Sequence, residues 1–257
     1  MVGLQKRYAP AVQILQKRLC KEHLVSYDVH YLTGNYPEGN ALLDLYIHPL
    51  DLVTYLFGKP EIITCQIVAP ASYILMLRHP QIVGTLELST AYTWTSAEES
   101  LKVCTSKGIY RLSQMEELTF EPKPSTIFGI PYEKIHNQNK TVEYLYARNN
   151  FTPTLLNNQI YLQGYYSEIL SFITSVEHGH SSALTDIATV KPTYEILMGI
   201  DSFLKNPMEI HIEGNLQHNC YDWQKGKGAD DVEQTLWPPY TFVVPHNVSK
   251  SVTLLLP

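Results

Sequence analysis

Six short apolar runs follow one another between residues 62 and 121, with only a few turn-forming residues between each run and the next. They are rich in β-branched and aromatic side chains, which is typical of strands. The runs lie at 62–69, 73–78, 83–92, 101–105, 109–113 and 118–121, with the longest turn predicted at 95–100. Connections as short as Lys107-Gly108 leave no room for the crossover helices that join parallel strands. The sequence therefore predicts an α+β fold with a mostly antiparallel, open β-sheet that helices flank on one face.

Further elements are predicted on either side of these runs. The strands lie at 24–31 and 141–146, and the helices at about 8–21, 160–177 and 182–204. Pro192 is expected to bend the last helix or to mark its first turn. After residue 204 the composition shifts to a polar Gly/Lys/Asp segment between short apolar stretches. We therefore expect one domain over residues 1–204 and a C-terminal extension over residues 205–257, whose strands add to the same domain.

The central helix is predicted to begin near Asn40 and to end at Gly58, which Pro60 follows. Its apolar residues recur at three- and four-residue spacing and form a broad stripe. Pro49 removes a backbone donor in the middle of this pattern, so a kink is expected just beyond His48.

Asp44 and His48 are four residues apart on this helix, so both are expected to project from one face. A carboxylate and an imidazole so placed can share a proton, relay a proton or orient each other. The alternative is that the pair contributes only surface electrostatics. The apolar residues around both positions favour a buried or cleft-facing site.

The composition argues against several classes of function. Nineteen Lys and Arg residues against 25 Asp and Glu residues give a net charge of −6, and the absence of a basic cluster argues against nucleic acid as a partner. No apolar run approaches the roughly 20 residues that a membrane span needs, and no signal-peptide core is found. The four cysteines are widely scattered, which predicts reduced thiols and no metal site. We expect a cytoplasmic protein.

The central helix resembles a motif in the C-terminal domain of the Gfo/Idh/MocA oxidoreductases. The residues that carry this resemblance are Gly39-x4-Asp44-x3-His48-x2-Asp51, running on to Tyr55-Leu56-Phe57-Gly58-Lys59-Pro60. The opening Val2-Gly3-Leu4-Gln5-Lys6-Arg7-Tyr8-x-Pro10-Ala11-Val12 is similar to the segment after the family's dinucleotide domain. Residues 163–173 and 184–187 resemble its final helix pair. The resemblance covers residues 2–204 in order.

The resemblance implies an activity and a set of site residues. Family members transfer hydride between NAD or NADP and a sugar-like alcohol or aldehyde, or a related small substrate. By resemblance, His48 is the proton donor or acceptor at the reacting oxygen, and Asp44 orients the substrate or the imidazole. Lys6, Arg7 and Tyr8 occupy positions that often hold substrate, and Asn40 is grouped with them as a substrate-binding residue.

The dinucleotide-binding part of such an enzyme has no counterpart in the sequence. The chain contains neither a Gly-x-Gly-x-x-Gly turn between a first strand and helix nor the family's Glu-Lys-Pro lysine in its usual place. We therefore expect that the chain alone binds no cofactor, although NAD or NADP is implied for a full-length family member.

Three readings remain open. The chain is the substrate-binding and oligomerisation portion of an NAD(P)-dependent oxidoreductase, a non-catalytic relative that binds a ligand or a partner, or a cofactor-independent acid–base enzyme that uses Asp44 and His48. The partners expected are a small, sugar-like substrate and further copies of the chain, which form a homodimer or higher homo-oligomer through the open sheet face.

Overall fold

The structure, a computed structural model, describes residues 2–135, 141–149, 151, 154–179, 184–205, 209–210, 242–243 and 254–255. It begins with a 3-10 turn, Gln5–Tyr8, and helix α1, Pro10–Leu19. The elements up to the sixth strand are β1 (Leu24–Gly34), α2 (Ala41–Asp44), α3 (Ile47–Phe57), β2 (Ile62–Ala69), β3 (Ser72–Arg78), β4 (Val83–Tyr92), β5 (Glu98–Thr105) and β6 (Gly108–Ser113). The later elements are β7 (Glu117–Pro122), β8 (Thr126–Ile127), β9 (Ile130–Pro131), α4 (Tyr132–Ile135), β10 (Glu143–Ala147), α5 (Gln159–Leu162), α6 (Tyr165–His178), α7 (Ile187–Lys205), β11 (Glu209–Ile210), β12 (Phe242–Val243) and β13 (Leu254–Leu255).

One large sheet organises the molecule, with strand order β10-β7-β6-β5-β1-β4-β3-β2-β13. The pairing of β1 with β4 is parallel, and each other pairing described in this sheet is antiparallel. The predicted α+β fold, with an open, mostly antiparallel sheet and helices on one face, is confirmed. No described helix is long and apolar enough to cross a membrane.

The core lies between the helices and the inward side chains of the sheet. Along β3, Leu75 and Leu77 are buried, whereas Ile74 and Met76 are exposed, as expected for a strand with one covered face. The buried residues that the helices contribute include Val12 and Leu15 of α1, Leu50 and Val53 of α3, and Ile196 and Ile200 of α7. Truncating any one of these leucines to alanine is expected to cost about 2–5 kcal/mol.

The strand at 101–105 begins earlier than predicted. β5 starts at Glu98, because Glu98, Glu99 and Ser100 pair with residues 30–32 of β1. Part of the turn predicted at 95–100 is therefore strand, and this difference places Glu99 beside Tyr31 in the sheet.

The central helix is two helices, so the kink predicted just beyond His48 is wrong. α2 ends at Asp44 and α3 begins at Ile47, which puts Pro49 in the first turn of α3, where its missing N–H leaves no bond unmade. The break turns Tyr46 inward: its ring is fully buried and its hydroxyl donates to the carbonyl of Ala71. The predicted end of the helix is confirmed, since Gly58 follows Phe57 with φ +84°.

The helix predicted at 160–177 is also interrupted, at Gly164. Its φ of +94° separates α5 from α6, and a Cβ at this position would lie 2.1 Å from the carbonyl oxygen of Gln5. The N-terminus of α6 therefore lies directly against the 3-10 turn. A second contact joins the same elements, because a buried carboxylate oxygen of Glu168 accepts from the Leu4 amide at 3.0 Å.

The last predicted helix corresponds to α7, and Pro192 lies in its second turn instead of its first. Residues 180–183, which include the predicted start at Ser182, lie outside the described residues. The same holds for most of residues 205–257, of which β11, β12 and β13 are described. β13 pairs with β2, Leu254 opposite Ile63. The predicted division at residues 204 and 205 stays a prediction.

Candidate active site

His48 lies in the first turn of α3, and its imidazole has an unsatisfied nitrogen. The Nδ1 atom is buried and has no hydrogen-bond partner among the described residues. Burial and, to a smaller extent, the nearby charge of Lys6 together lower the pKa of His48 to about 4. The imidazole is therefore neutral near pH 7, and it can form one more hydrogen bond to a ligand.

Lys6 reaches the same place from the 3-10 turn. The residue is 5% exposed, and its ammonium forms an ion pair with the carboxylate of Glu99 on β5. The Nζ atom also lies 5.1 Å from the centroid of the Tyr31 ring on β1, within the range of a cation–π contact. The pKa of Tyr31 is raised, mainly by burial and to a smaller extent by the charge of Glu99. Lys6, Glu99, Tyr31 and His48 thus form one cluster, which we call the Lys6 cluster.

Arg7 and Tyr8, although next to Lys6 in sequence, have different surroundings. Arg7 donates to both carboxylate oxygens of Asp51, at 2.8 and 2.6 Å, and both side chains are almost fully buried. Its remaining donors reach the carbonyl of Leu184 and the Oγ1 and carbonyl oxygens of Thr189. This geometry gives Arg7 a structural role, fastening the 3-10 turn to α3 and to the start of α7.

Tyr8 has a similar position. It is buried, and its hydroxyl lies 3.3 Å from both the Oγ1 and the backbone nitrogen of Thr185. Substrate binding by Tyr8 and Arg7 stays a prediction.

Asp44 and Asn40 cap a helix at the exposed edge of this region. The side-chain oxygen of Asn40 accepts from the amides of Leu42 and Leu43, so the predicted cap is confirmed. In return, the amide of Asn40 donates to Oδ2 of Asp44 at 2.8 Å. No hydrogen bond joins Asp44 to His48 within the described part of the chain, and the two residues lie in separate helices, α2 and α3. Asp44 is exposed, so the buried or cleft-facing position expected for it is wrong.

Glu99 and Tyr31 were missed by sequence reasoning. Glu99 lies in a polar stretch that was interpreted as a turn, and Tyr31 ended the predicted strand. An acid followed by the alternating run 101–105 was the available signal that the strand begins earlier. Tyr165, the first residue of α6, also acts on Tyr31 and raises its pKa slightly more.

The described residues also include a cleft that lies away from the Lys6 cluster. A cleft of about 290 Å³ lies at the other end of β1, and Leu19, Cys20, Leu24 and Phe57 are among its lining residues. It contains no predicted site residue. No group of three His, Cys, Asp or Glu side chains among the described residues is arranged to hold a metal ion.

The described strands lack the arrangement that a dinucleotide-binding fold uses. NAD(P)-binding folds use parallel strands joined by helices, with a glycine-rich turn after the first strand. Among the described strands of the large sheet, only β1 and β4 pair in parallel. The segment from the last residue of β1 onward is Gly34-Asn35-Tyr36-Pro37-Glu38-Gly39, which lacks the required glycine spacing.

Comparison with known proteins supports the fold. No family model matches the sequence, and no curated protein matches it either. Among solved structures, a dehydrogenase (MviM) from Clostridium difficile matches 79% of this chain with a TM-score of 0.60 and 15% identity. Levoglucosan dehydrogenase, in complex with NADH and L-sorbose, matches 80% with a TM-score of 0.60 and 16% identity. An oxidoreductase from Agrobacterium radiobacter, in complex with NAD⁺, L-tartaric acid and magnesium, matches 80% with a TM-score of 0.58 and 15% identity.

The fold of the chain therefore matches the fold of Gfo/Idh/MocA-type dehydrogenases over part of their length. It spans 61–63% of these three chains, and the mostly antiparallel sheet corresponds to the portion outside a dinucleotide-binding domain. At this level of identity the likeness concerns the fold.

Proposed function

We propose that this chain is the substrate-binding and oligomerisation portion of an NAD(P)-dependent oxidoreductase of the Gfo/Idh/MocA type. Its substrate would be a sugar-like or related small alcohol or aldehyde, and the dinucleotide would be held by other residues. One observation carries the proposal: a fold shared with NAD⁺- and NADH-bound dehydrogenases has, at the half-buried His48, a buried Nδ1 atom without a partner among the described residues, beside the buried Lys6.

In this proposal His48 is the group that moves a proton at the reacting oxygen. Its neutral imidazole has a free position at Nδ1, which suits an exchange of one proton with a hydroxyl or carbonyl group. Lys6 stands beside it and contacts the substrate. Asp44 and Asn40, at the exposed edge, would contact more distant hydroxyl groups, while Arg7 and Tyr8 hold the 3-10 turn in place.

The open face of the sheet is the proposed surface for oligomerisation. Val68 of β2 and Ile74 and Met76 of β3 expose between 45% and 62% of their surface there. Exposed apolar side chains grouped on a sheet face are typical of a surface that another protein covers. We propose a homodimer, in which this face meets the same face of a second copy.

Binding of an uncharged sugar tests the proposed function. We expect levoglucosan and L-sorbose to bind the purified chain with a Kd of about 1 mM, measured by calorimetry and NMR. His48→Ala should weaken the binding at least about tenfold, because the ligand loses its hydrogen bond at Nδ1. The matched control is His178→Ala, which removes an exposed histidine at the end of α6 and should leave the Kd unchanged.

The same samples test whether the dinucleotide must be held by other residues. NAD(H) and NADP(H) should not bind the chain alone. Binding of a dinucleotide at micromolar concentration, or no binding of either sugar by the folded wild-type chain, would contradict the proposal.

A further inference from the structure

We infer that two copies of this chain associate by exchanging hairpins, with the β8–β9 tip of each copy bound in the cleft beside β1 of the other. The hairpin presents Phe128 as an apolar anchor, and Leu24 and Phe57 are among the residues that line the cleft. This association uses residues other than those of the open sheet face, and it does not depend on the proposed function.

Phe128 lies at the tip of the hairpin and is fully exposed. With Gly129 it forms the two-residue turn between Ile127 and Ile130, which pair with each other. Both turn residues have a positive φ, +50° and +80°, a combination that favours Asn and Gly and disfavours a bulky side chain. The two isoleucines are also exposed, by 40% and 50%. The aromatic ring gains no burial that would offset its backbone strain, which is typical of a residue that another molecule covers.

The hairpin and the cleft lie at the same end of the large sheet. β7, which leads to the hairpin, ends beside the turn between β5 and β6, where the Lys123 amide donates to the Lys107 carbonyl at 2.7 Å. That turn also contacts the segment between α1 and β1, because the Ser106 amide donates to the His23 carbonyl at 2.9 Å. Glu22, the residue before His23, lines the cleft. One two-fold axis near this end can therefore bring the hairpin of each copy to the cleft of the other.

The cleft has the size and the lining that an aromatic side chain needs. Its volume of about 290 Å³ is larger than the roughly 150 Å³ of an engineered apolar cavity that binds benzene. Phe57 is held in place by stacking on Tyr27, with the two ring centroids 4.5 Å apart. Leu19 and Leu24 add aliphatic surface. The cleft can therefore accept the Phe128 ring and part of a neighbouring isoleucine.

The chain itself carries both halves of this contact, so a second copy is the occupant that the surfaces fit. A buried aromatic side chain contributes about 150–250 Å², and two exchanged tips with their isoleucines bring the interface to roughly 1,000 Å². This area is below that of a standard stable interface. We therefore expect a weak association, with a Kd of about 1 mM, that forms beside the sheet-face contact and at higher concentration.

Disulfide cross-linking tests which cleft the hairpin tip occupies. Ile130→Cys places a thiol next to the anchor, and Cys20 is an exposed thiol of the cleft. Oxidation with copper phenanthroline at about 1 mM protein should join the two thiols across copies. A mixture of ¹⁴N- and ¹⁵N-labelled protein distinguishes bonds between copies from bonds within one copy, by mass spectrometry of the linked peptides.

Two further variants control this cross-link. Tyr92→Cys places a thiol at a half-exposed position beside Gly34, at the opposite end of the sheet, and should give at least about tenfold less disulfide with Cys20. Phe128→Asn, added to Ile130→Cys, should reduce the cross-link by a similar factor, because the anchor is gone.

Phe128→Asn also separates a binding role from a structural one. Asn suits a turn position with positive φ, so this variant should unfold at the same or a higher urea concentration than wild type. Its self-association at about 1 mM should be at least about tenfold weaker, measured by sedimentation velocity. The measurement is made with Ile74→Lys and Met76→Lys present, so that the sheet face does not contribute. Tyr92→Asn is the matched control and should leave the association unchanged.

Several outcomes would overturn the inference. They are a disulfide between Cys20 and Ile130→Cys that forms mainly within one copy, a disulfide mainly between two hairpin tips, or a yield no higher than that of Tyr92→Cys. A chain that carries the two sheet substitutions and stays monomeric at about 1 mM would overturn it as well. A lower urea midpoint in Phe128→Asn with unchanged association would show that the phenylalanine serves the fold. Each of these results leaves the sugar-binding test of the proposed function unaffected.

Discussion

Lys6 and Arg7 show how neighbouring cations in one short turn can serve different purposes. Arg7 is surrounded by acceptors that match its planar guanidinium, with Asp51 engaged through both oxygens. Lys6 contacts one carboxylate and one aromatic face, and its charge acts on His48, whose Nδ1 has no partner among the described residues. A buried side chain whose donors and acceptors all have partners is typical of a structural role, whereas a buried side chain with an unsatisfied polar atom is a candidate for ligand binding.

His79 is a buried histidine of the first kind, and it predicts how stability depends on pH. Its Nδ1 donates to the Gly58 carbonyl at 2.7 Å, and its Nε2 accepts from the Tyr27 hydroxyl at 2.8 Å. Burial lowers the pKa of His79 to about 4, although the bond to Gly58 acts in the opposite direction. Between about pH 6.5 and 4 the unfolded chain binds a proton at this residue and the folded chain does not, so stability falls as the pH falls.

The expected size of this effect is about 2 kcal/mol in the free energy of unfolding between pH 7.5 and pH 5. The difference between wild type and His79→Leu in urea unfolding at the two pH values measures it, because His48, whose pKa is also lowered to about 4, contributes to both proteins alike. His79→Leu should lower stability at pH 7.5, since Tyr27 and Gly58 lose their partner, but should reduce the further loss on going to pH 5. The exposed His178, changed to leucine, is the control and should retain the full pH dependence. An equal pH dependence in His79→Leu and wild type would show that His79 titrates normally.

Among the helices, the junction between the 3-10 turn and α6 depends on a single glycine. Gly164→Ala should strongly destabilise the protein, because the new Cβ would meet the Gln5 carbonyl oxygen at 2.1 Å in a backbone conformation that already disfavours alanine. Gly179→Ala is the matched control: its φ is +67°, but a Cβ there meets nothing within 4 Å.

We expect Gly179→Ala to cost about 1–2 kcal/mol and Gly164→Ala about 1–3 kcal/mol more, measured by urea unfolding. The His48 ring signals should move in Gly164→Ala, because the 3-10 turn that carries Lys6 must shift. Equal losses of stability in the two variants would mean that the backbone there adapts to a side chain.

The elements that sequence reasoning predicted well are those whose limits are set locally. The predicted spans of β2 and β4 agree with the structure because alternating or β-branched runs end at turn-forming residues. The cap at Asn40 and the stop at Gly58 were predicted for the same reason. The predicted helices are wrong where a residue distant in sequence determines the point at which a helix is interrupted. The helix breaks at Tyr46, whose hydroxyl bonds Ala71, and at Gly164, which lies against Gln5.

For the candidate site too, sequence reasoning reached the residues of local motifs but not the contacts between distant parts of the chain. His48 was proposed as a site residue because it belongs to a local motif, and Lys6 because it belongs to another, and both stay proposals. Their surroundings could not be predicted, since Glu99 is 93 residues from Lys6 in sequence and meets it only through the pairing of β5 with β1. The joint action of Asp44 and His48, inferred from their spacing, stays a prediction.

For the whole molecule, the question is what covers the open face of the sheet. Helices cover one face, whereas Ile74 and Met76 are exposed on the other face, on β3, which lies between β2 and β4 and is the third strand from one edge of the sheet. A chain that buries this face against a second copy removes apolar surface from water at about 25 cal/mol per Å². We therefore expect a dimer in light scattering at about 50 µM, a concentration well above the Kd of a standard-sized interface.

The double variant Ile74→Lys and Met76→Lys should shift that mass to the monomer, because facing copies would place like charges against each other in a desolvated interface. Both positions are exposed in the single chain, so its fold and its L-sorbose binding should persist. Ile169→Lys is the matched control, since Ile169 is similarly exposed but lies on α6, away from the sheet face. A wild-type monomer at this concentration, or a dimer that the sheet variant retains and Ile169→Lys disrupts, would show that oligomerisation through the sheet face is wrong.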